Sequence, residues 1–174
     1  TEGLADHDRV IGILVGDRPL AVPLKILWTH EIANFDEWGG RTFAVTYCPL
    51  TGSSLVFDRS PLDGAELGVS GLLFNNNLVM YDRRNNESLW PQMRRQAACG
   101  ANVGADLSML PAIEMRWDQW HSLHPTTKVV SDGSDFTRTY PYGNYRSPNA
   151  PPLISMTVDD RRPPKELVLG LPDG

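Results

Sequence analysis

The chain has 174 residues, with 16 basic and 21 acidic side chains and a formal net charge of −5. With no basic block, that balance argues against a protein that reads nucleic acid through its phosphates, and no apolar run approaches the ~20 residues of a membrane-spanning helix. Fifteen glycines and fourteen prolines exceed the usual share and favour short strands and turns over long helices, in one domain with an appendage.

In chain order, Arg9–Val15 reads as a strand, Gly16-Asp17 as a turn and Arg18–Val22 as the returning strand of a hairpin. Pro23 suits a first helical position, and Leu24, Ile26, Leu27 and Ile32 form one apolar face of a helix running through Ala33. Asn34 and Gly39-Gly40 end it. Thr42–Cys48 is a strong strand, Pro49–Gly52 a tight turn, and Ser53–Asp58 the return. After a turn at Ser60–Gly64, further strands are expected at Glu66–Ser70, Leu72–Phe74 and Leu78–Asp82, separated by Gly71 and by Asn75-Asn76-Asn77. Gln96–Gly100 reads as a weak strand, Ile113–Trp117 and Thr127–Ser131 as further strands, with a short helix at Asp118–His124 stopped by Pro125. The fold class is therefore mainly β: twisted antiparallel sheets, barrel- or sandwich-like, with two or three short helices and a long irregular C-terminal arm.

The expected organisation is a β-rich core over 1–131, a Pro/Tyr-rich arm over 132–164 and a strand-like end over 165–174. Tyr140, Tyr142 and Tyr145 give the arm something to bury, which favours wrapping. Val10-Ile-Gly-Ile13 with Gly16 recurs as Val168-Leu-Gly-Leu171 with Gly174, one short motif that reads either as the start of a truncated repeat or as the last ordered residues of a longer polypeptide. Thr1-Glu2-Gly3 carries no signal-peptide pattern, and the missing initiator Met is expected of a processed or trimmed chain.

Six ordered blocks carry a family resemblance. They are Pro23–Ile32, Thr46-Tyr-Cys-Pro-Leu-Thr-Gly52 with Val56-Phe-Asp58, Gly68–Asn75, Leu78–Arg83, Glu87-Ser-Leu-Trp90 and Tyr140-Pro-Tyr-Gly-Asn-Tyr145. Together they resemble DUF3179, a bacterial and archaeal family of unknown function, over most of residues 9–171. The resemblance brings no established activity. It implies an extracytoplasmic location, periplasmic or at the cell surface, because such proteins are commonly exported or lipid-anchored. The family pattern often has a second Cys three residues after the first; here that position is Thr51, which removes support for a dithiol.

Cys48 and Cys99 lie outside any CxxC or zinc-ligand spacing, and are either bridged or two separate thiols. His30, Cys48 and Met80 (or Met93) form a soft ligand set of imidazole, thiolate and thioether suited to copper, which only the fold could assemble. The bland alternative is a helix-end histidine, a small core cysteine and gap-filling methionines. Asn75, Asn77, Tyr81 and Asp82 are candidates for a polar pocket, against a plain turn reading for the asparagines. Ser53 and Ser70 lack a nucleophile-elbow context, which disfavours a serine hydrolase. Trp117, Trp120, His121 and His124 read as an aromatic packing cluster. No complete catalytic constellation emerges. The expected function is a non-catalytic binding or accessory subunit of a larger, membrane-associated assembly, contacted through Tyr140, Tyr142, Tyr145 and Arg146. The alternative is a copper or thiol redox protein using Cys48 and His30.

Overall fold

The computed structural model describes residues 3–84, 87–134, 136–154, 160–166 and 168. The first hairpin pairs β1 (Arg9–Val15) with β2 (Arg18–Pro23) through the two-residue turn Gly16-Asp17, where Gly16 takes φ 58°. The helix α1 (Leu24–His30) follows directly. A three-stranded antiparallel sheet comes next, built from β3 (Ile32–Trp38), β4 (Arg41–Cys48) and β5 (Ser53–Asp58) in that order. A second three-stranded sheet holds β6 (Leu67–Phe74), β7 (Asn77–Asp82) and β8 (Leu89–Pro91). The chain then returns to the first hairpin. β9 (Ala112–Arg116) joins β1 antiparallel, α2 (Trp117–Leu123) packs beside it, and β10 (Lys128–Val129) joins β2 in parallel. Mainly β architecture in twisted sheets is thus the observed class, with sheets that stack and do not close into a barrel. No helix among the described residues is long and apolar enough to cross a membrane.

Strand alternation explains the stacking. Along β4, Phe43, Val45 and Tyr47 face a core shared with Ile11, Ile13 and Val15 of β1 and with Leu24 and Leu27 of α1. Ala44 and Cys48 face the opposite core, with Phe57, Leu67, Leu78, Met80 and Trp90. A strand covered on both faces must be apolar at consecutive positions, which is why Phe43-Ala-Val45 shows no polar alternation. The outer face of β1 is closed by a third cluster around Val10, Trp117, Trp120 and Phe136. Gly12 is required there, because a Cβ at its position would sit 2.6 Å from Cδ2 of Trp120.

Several elements differ from the sequence expectation. The first helix stops at His30 and does not run through Ala33, since Glu31 turns to φ 57° and Ile32–Trp38 becomes a strand. Cross-strand pairing decides this: Ile32 opposes Thr46, Ala33 opposes Val45, and Phe35 stacks on Phe43 at 5.0 Å between centroids. A helix over the same residues would leave the edge of β4 unpaired. Pro23 ends β2 and precedes the helix as its N-cap residue. The two strands expected on either side of Gly71 are one strand, and the register shift between Val69 and Leu73 absorbs the glycine at φ 77° as a bulge. The weak strand at Gln96–Gly100 reduces to isolated bridges, Gln96 to Asp106 and Leu89 to Cys99. Thr127–Ser131 shrinks to two paired residues, with Thr127 bonded by the Trp120 indole N–H at 2.9 Å. The strand-like segment expected over 165–174 lies, apart from Lys165, Glu166 and Val168, outside the described residues.

Candidate functional site

The site is organised by the end of β4 and the corner after it. Successive residues of a strand face opposite sides, so Tyr47 and Cys48 look into different spaces, and the Pro49–Gly52 corner borders both. Gly52 closes the corner by donating its N–H to the Cys48 carbonyl at 2.8 Å.

The arm lies over this corner. Tyr140 donates its hydroxyl to the Pro49 carbonyl at 2.7 Å and meets the Trp28 ring edge-on at 5.8 Å. The Arg146 guanidinium stands 4.2 Å from the centroid of Tyr140 and 5.2 Å from that of Trp28, and it donates to the Tyr47 hydroxyl. Tyr145 accepts from the Leu153 N–H at 2.9 Å. Farther along, the Asn76 amide holds Ile154 by both ends: Nδ2 donates to the Ile154 carbonyl at 2.9 Å, and Oδ1 accepts from its N–H at 2.6 Å. Asn75 and Asn76 form the two-residue β6–β7 turn with φ 49° and 61°, a primed turn that asparagine tolerates. The same turn therefore sets the hairpin and latches the arm.

Two cavities border this corner. The larger, 320 Å³, is lined by Leu24, Tyr47 and the Arg9–Glu114 pair, by Thr51, Gly52 and Asn75, and by Tyr145, Arg146, Pro152 and Lys165. Arg9 Nε bonds Glu114 Oε1 at 2.7 Å, and Ser54 donates to the other carboxylate oxygen at 2.8 Å. Burial pushes the Tyr47 phenol up to about 12, in spite of Arg146 beside it, so this hydroxyl stays neutral at ordinary pH. The smaller cavity, 220 Å³, is lined by Cys48, Glu31, Tyr142 and the apolar Leu50, Leu72, Leu78 and Leu153. Burial raises the Glu31 carboxyl above its usual range. Tyr142 is raised by burial and then by the charges of Glu31 and Cys48.

The structure distributes the sequence candidates unevenly. Cys48 and Met80 belong to one apolar cluster, and the Cys48 thiol donates to the Asn76 carbonyl at 3.8 Å. His30 instead places Nε2 3.1 Å from Asp132 Oδ2, beside Arg138. No group of three or more His, Cys, Asp or Glu side chains suited to a metal occurs among the described residues. Cys48 and Cys99 are both free thiols, one buried and one exposed. Among the polar-pocket candidates, Asn75 lines the larger cavity, and Asn77 is bonded to Thr51, Ser53 and Gln92, each at 2.9 Å. Asp82 accepts from the Trp90 indole at 2.8 Å, and Tyr81 packs against Gly68. These four share a strand and its turn and do not line one pocket. Tyr140, Tyr142, Tyr145 and Arg146 converge on their own domain. Sequence reading did not find Arg9, Tyr47, Glu114 or Lys165. Arg9 and Glu114 meet only because β9 returns to β1 after a hundred residues, a pairing no local pattern announces. Tyr47 did have a signal, because it stands beside Cys48 in a quoted block and alternation puts it on the other face.

No curated protein and no solved structure matches the chain. A family model described as a protein of unknown function, DUF3179, matches residues 1–174. The chain belongs to the DUF3179 family.

Proposed function

We propose that the protein is a non-catalytic binding module that works as an accessory subunit of a larger assembly on the extracytoplasmic side. The observation that carries the reading is the 320 Å³ cleft between the β4–β5 corner and the arm. It has the size of a small-molecule site and the expected composition, apolar walls with a few convergent polar groups. Three hydroxyl and thiol groups of β4, β5 and β6 are engaged in structural bonds. Ser53 donates to Gln92 at 2.8 Å, Ser70 to the Val79 carbonyl at 2.6 Å, and Cys48 to the Asn76 carbonyl. Docking draws support from exposed apolar side chains at the smaller cavity, Val69, Leu72 and Leu153, with Phe74 and Ile154 also exposed. Patches of this kind mark interaction surfaces. The extracytoplasmic setting rests on the family resemblance alone.

The copper or thiol-redox alternative needs Cys48 and His30 in one centre, whereas His30 is engaged with Asp132 and Arg138. One experiment separates the readings: size-exclusion chromatography with light scattering on gently solubilised native material, with elemental analysis of the peak. The accessory reading expects a species well above 19.4 kDa and no stoichiometric metal. A free monomer with a protease-resistant arm refutes the accessory role. Stoichiometric copper, lost in Cys48→Ser or His30→Ala, replaces the binding reading with the metal one.

A further inference from the structure

Among the described residues, charge in the larger cleft is not balanced. Its two carboxylates are already committed, Glu114 to Arg9 and Ser54, and Glu166 to Arg162 at 3.1 Å. Two cations that also line the cleft have no carboxylate partner among the described residues. Arg146 donates to a neutral phenol and lies against two aromatic faces. Lys165 holds its ammonium over the Tyr145 ring, out of contact with solvent and without a hydrogen-bond acceptor. A buried ammonium with three unused donors is costly, and aromatic faces replace only part of its lost hydration. The remaining lining is mostly apolar and includes Leu24, Pro49, Leu50 and Pro152.

We infer that this cleft binds a small organic carboxylate, with Arg146 receiving its charge, Lys165 turning off the Tyr145 ring to join it, and the apolar lining receiving its carbon skeleton. An inorganic oxyanion would satisfy the cations and leave the apolar lining unused. A neutral apolar ligand would cover the lining and leave the ammonium unpaired. A carboxylate with an apolar body does both, and the planar guanidinium fork matches its two oxygens. The inference rests on the binding reading above and specifies its ligand class.

The test is isothermal titration of the full chain with hexanoate and 3-phenylpropionate, each beside its primary amide, and with inorganic phosphate. Carboxylates should bind saturably and the amides at least about tenfold more weakly, the loss expected when a charge-assisted bond is removed. Lys165→Gln and Arg146→Gln should each weaken carboxylate binding by about tenfold, with amide binding unchanged. Where Arg146→Gln also lowers the melting temperature, Lys165→Gln alone decides. Equal binding of acid and amide overturns the carboxylate and leaves the binding module standing. So does carboxylate binding that is unchanged in Lys165→Gln. Phosphate binding in place of the carboxylates, or no binding of any probe up to roughly 10 mM, where affinity falls below the weakest useful range, also refutes the inference. The oligomer measurement decides the accessory role independently.

Discussion

Replacing Asn76 by Gly should release the arm near Ile154 while leaving the core intact. Asn76 is 3% exposed and spends both ends of its amide on the Ile154 backbone, at 2.9 and 2.6 Å. Each partly buried bond contributes about 1 kcal/mol net, so losing both raises the local opening constant by about 2 kcal/mol, roughly thirtyfold. The turn itself is not harmed, because residue 76 sits at φ 61° and Asn-Gly is the preferred pair for a primed two-residue turn. Asn76→Ala breaks the same latch and adds about 1–2 kcal/mol of left-handed strain to the hairpin. Chymotrypsin cleavage after Leu153, under conditions where cleavage is slower than reclosing, reads the opening constant directly. The expected result is an increase of roughly thirtyfold for both variants, with a lowered melting temperature for Asn76→Ala only. Cleavage of Asn76→Gly at the wild-type rate, or an increase that appears only together with global unfolding, would refute the latch.

Gly12→Ala should cost about 1–3 kcal/mol in urea denaturation, since its Cβ would press on Trp120, which is 3% exposed and cannot give way; a loss below about 0.5 kcal/mol, the level of an ordinary surface change, would show that the β1–α2 contact is loose. Asp132 predicts an acid dependence. Hydrogen bonding from Ser134, joined by His30 and Arg138, holds its carboxyl at about 2, below the ordinary 3.8. A group depressed in the folded state stabilises above its unfolded value and loses that contribution as pH falls through its folded value. Thermal melts of the wild type should therefore decline between about pH 4 and about pH 2 more steeply than those of Asp132→Asn, and parallel curves would contradict this role.

Local chemistry in the chain was sufficient for much of the scaffold. The Arg9–Val22 hairpin, the β4–corner–β5 unit and the β6–β7 turn are each defined by neighbours in sequence: a two-residue Gly or Asn turn, or the four-residue Pro49–Gly52 corner, between apolar runs leaves one pairing available. The short helix at Trp117–Leu123, ended before Pro125, follows from the same local rules. Composition and periodicity thus decided a mainly β chain of small sheets. They could not decide the fate of Ile32 and Ala33, whose apolar spacing fits a helix face as well as a strand and is settled only by the free edge of β4. Nor could they decide the cleft. Arg9 meets Glu114 at a sequence separation of 105, and Arg146 reaches Tyr47 at 99. Neither member of such a pair carries a mark of the other. The soft ligand set failed to assemble for the same reason: helix direction after Pro23 sends His30 toward Asp132, while strand alternation turns Cys48 into the core with Met80. Secondary structure in this protein is written over spans of ten residues, whereas its candidate site is written by which distant sheets and arm residues come to lie on either side of Tyr47 and Cys48.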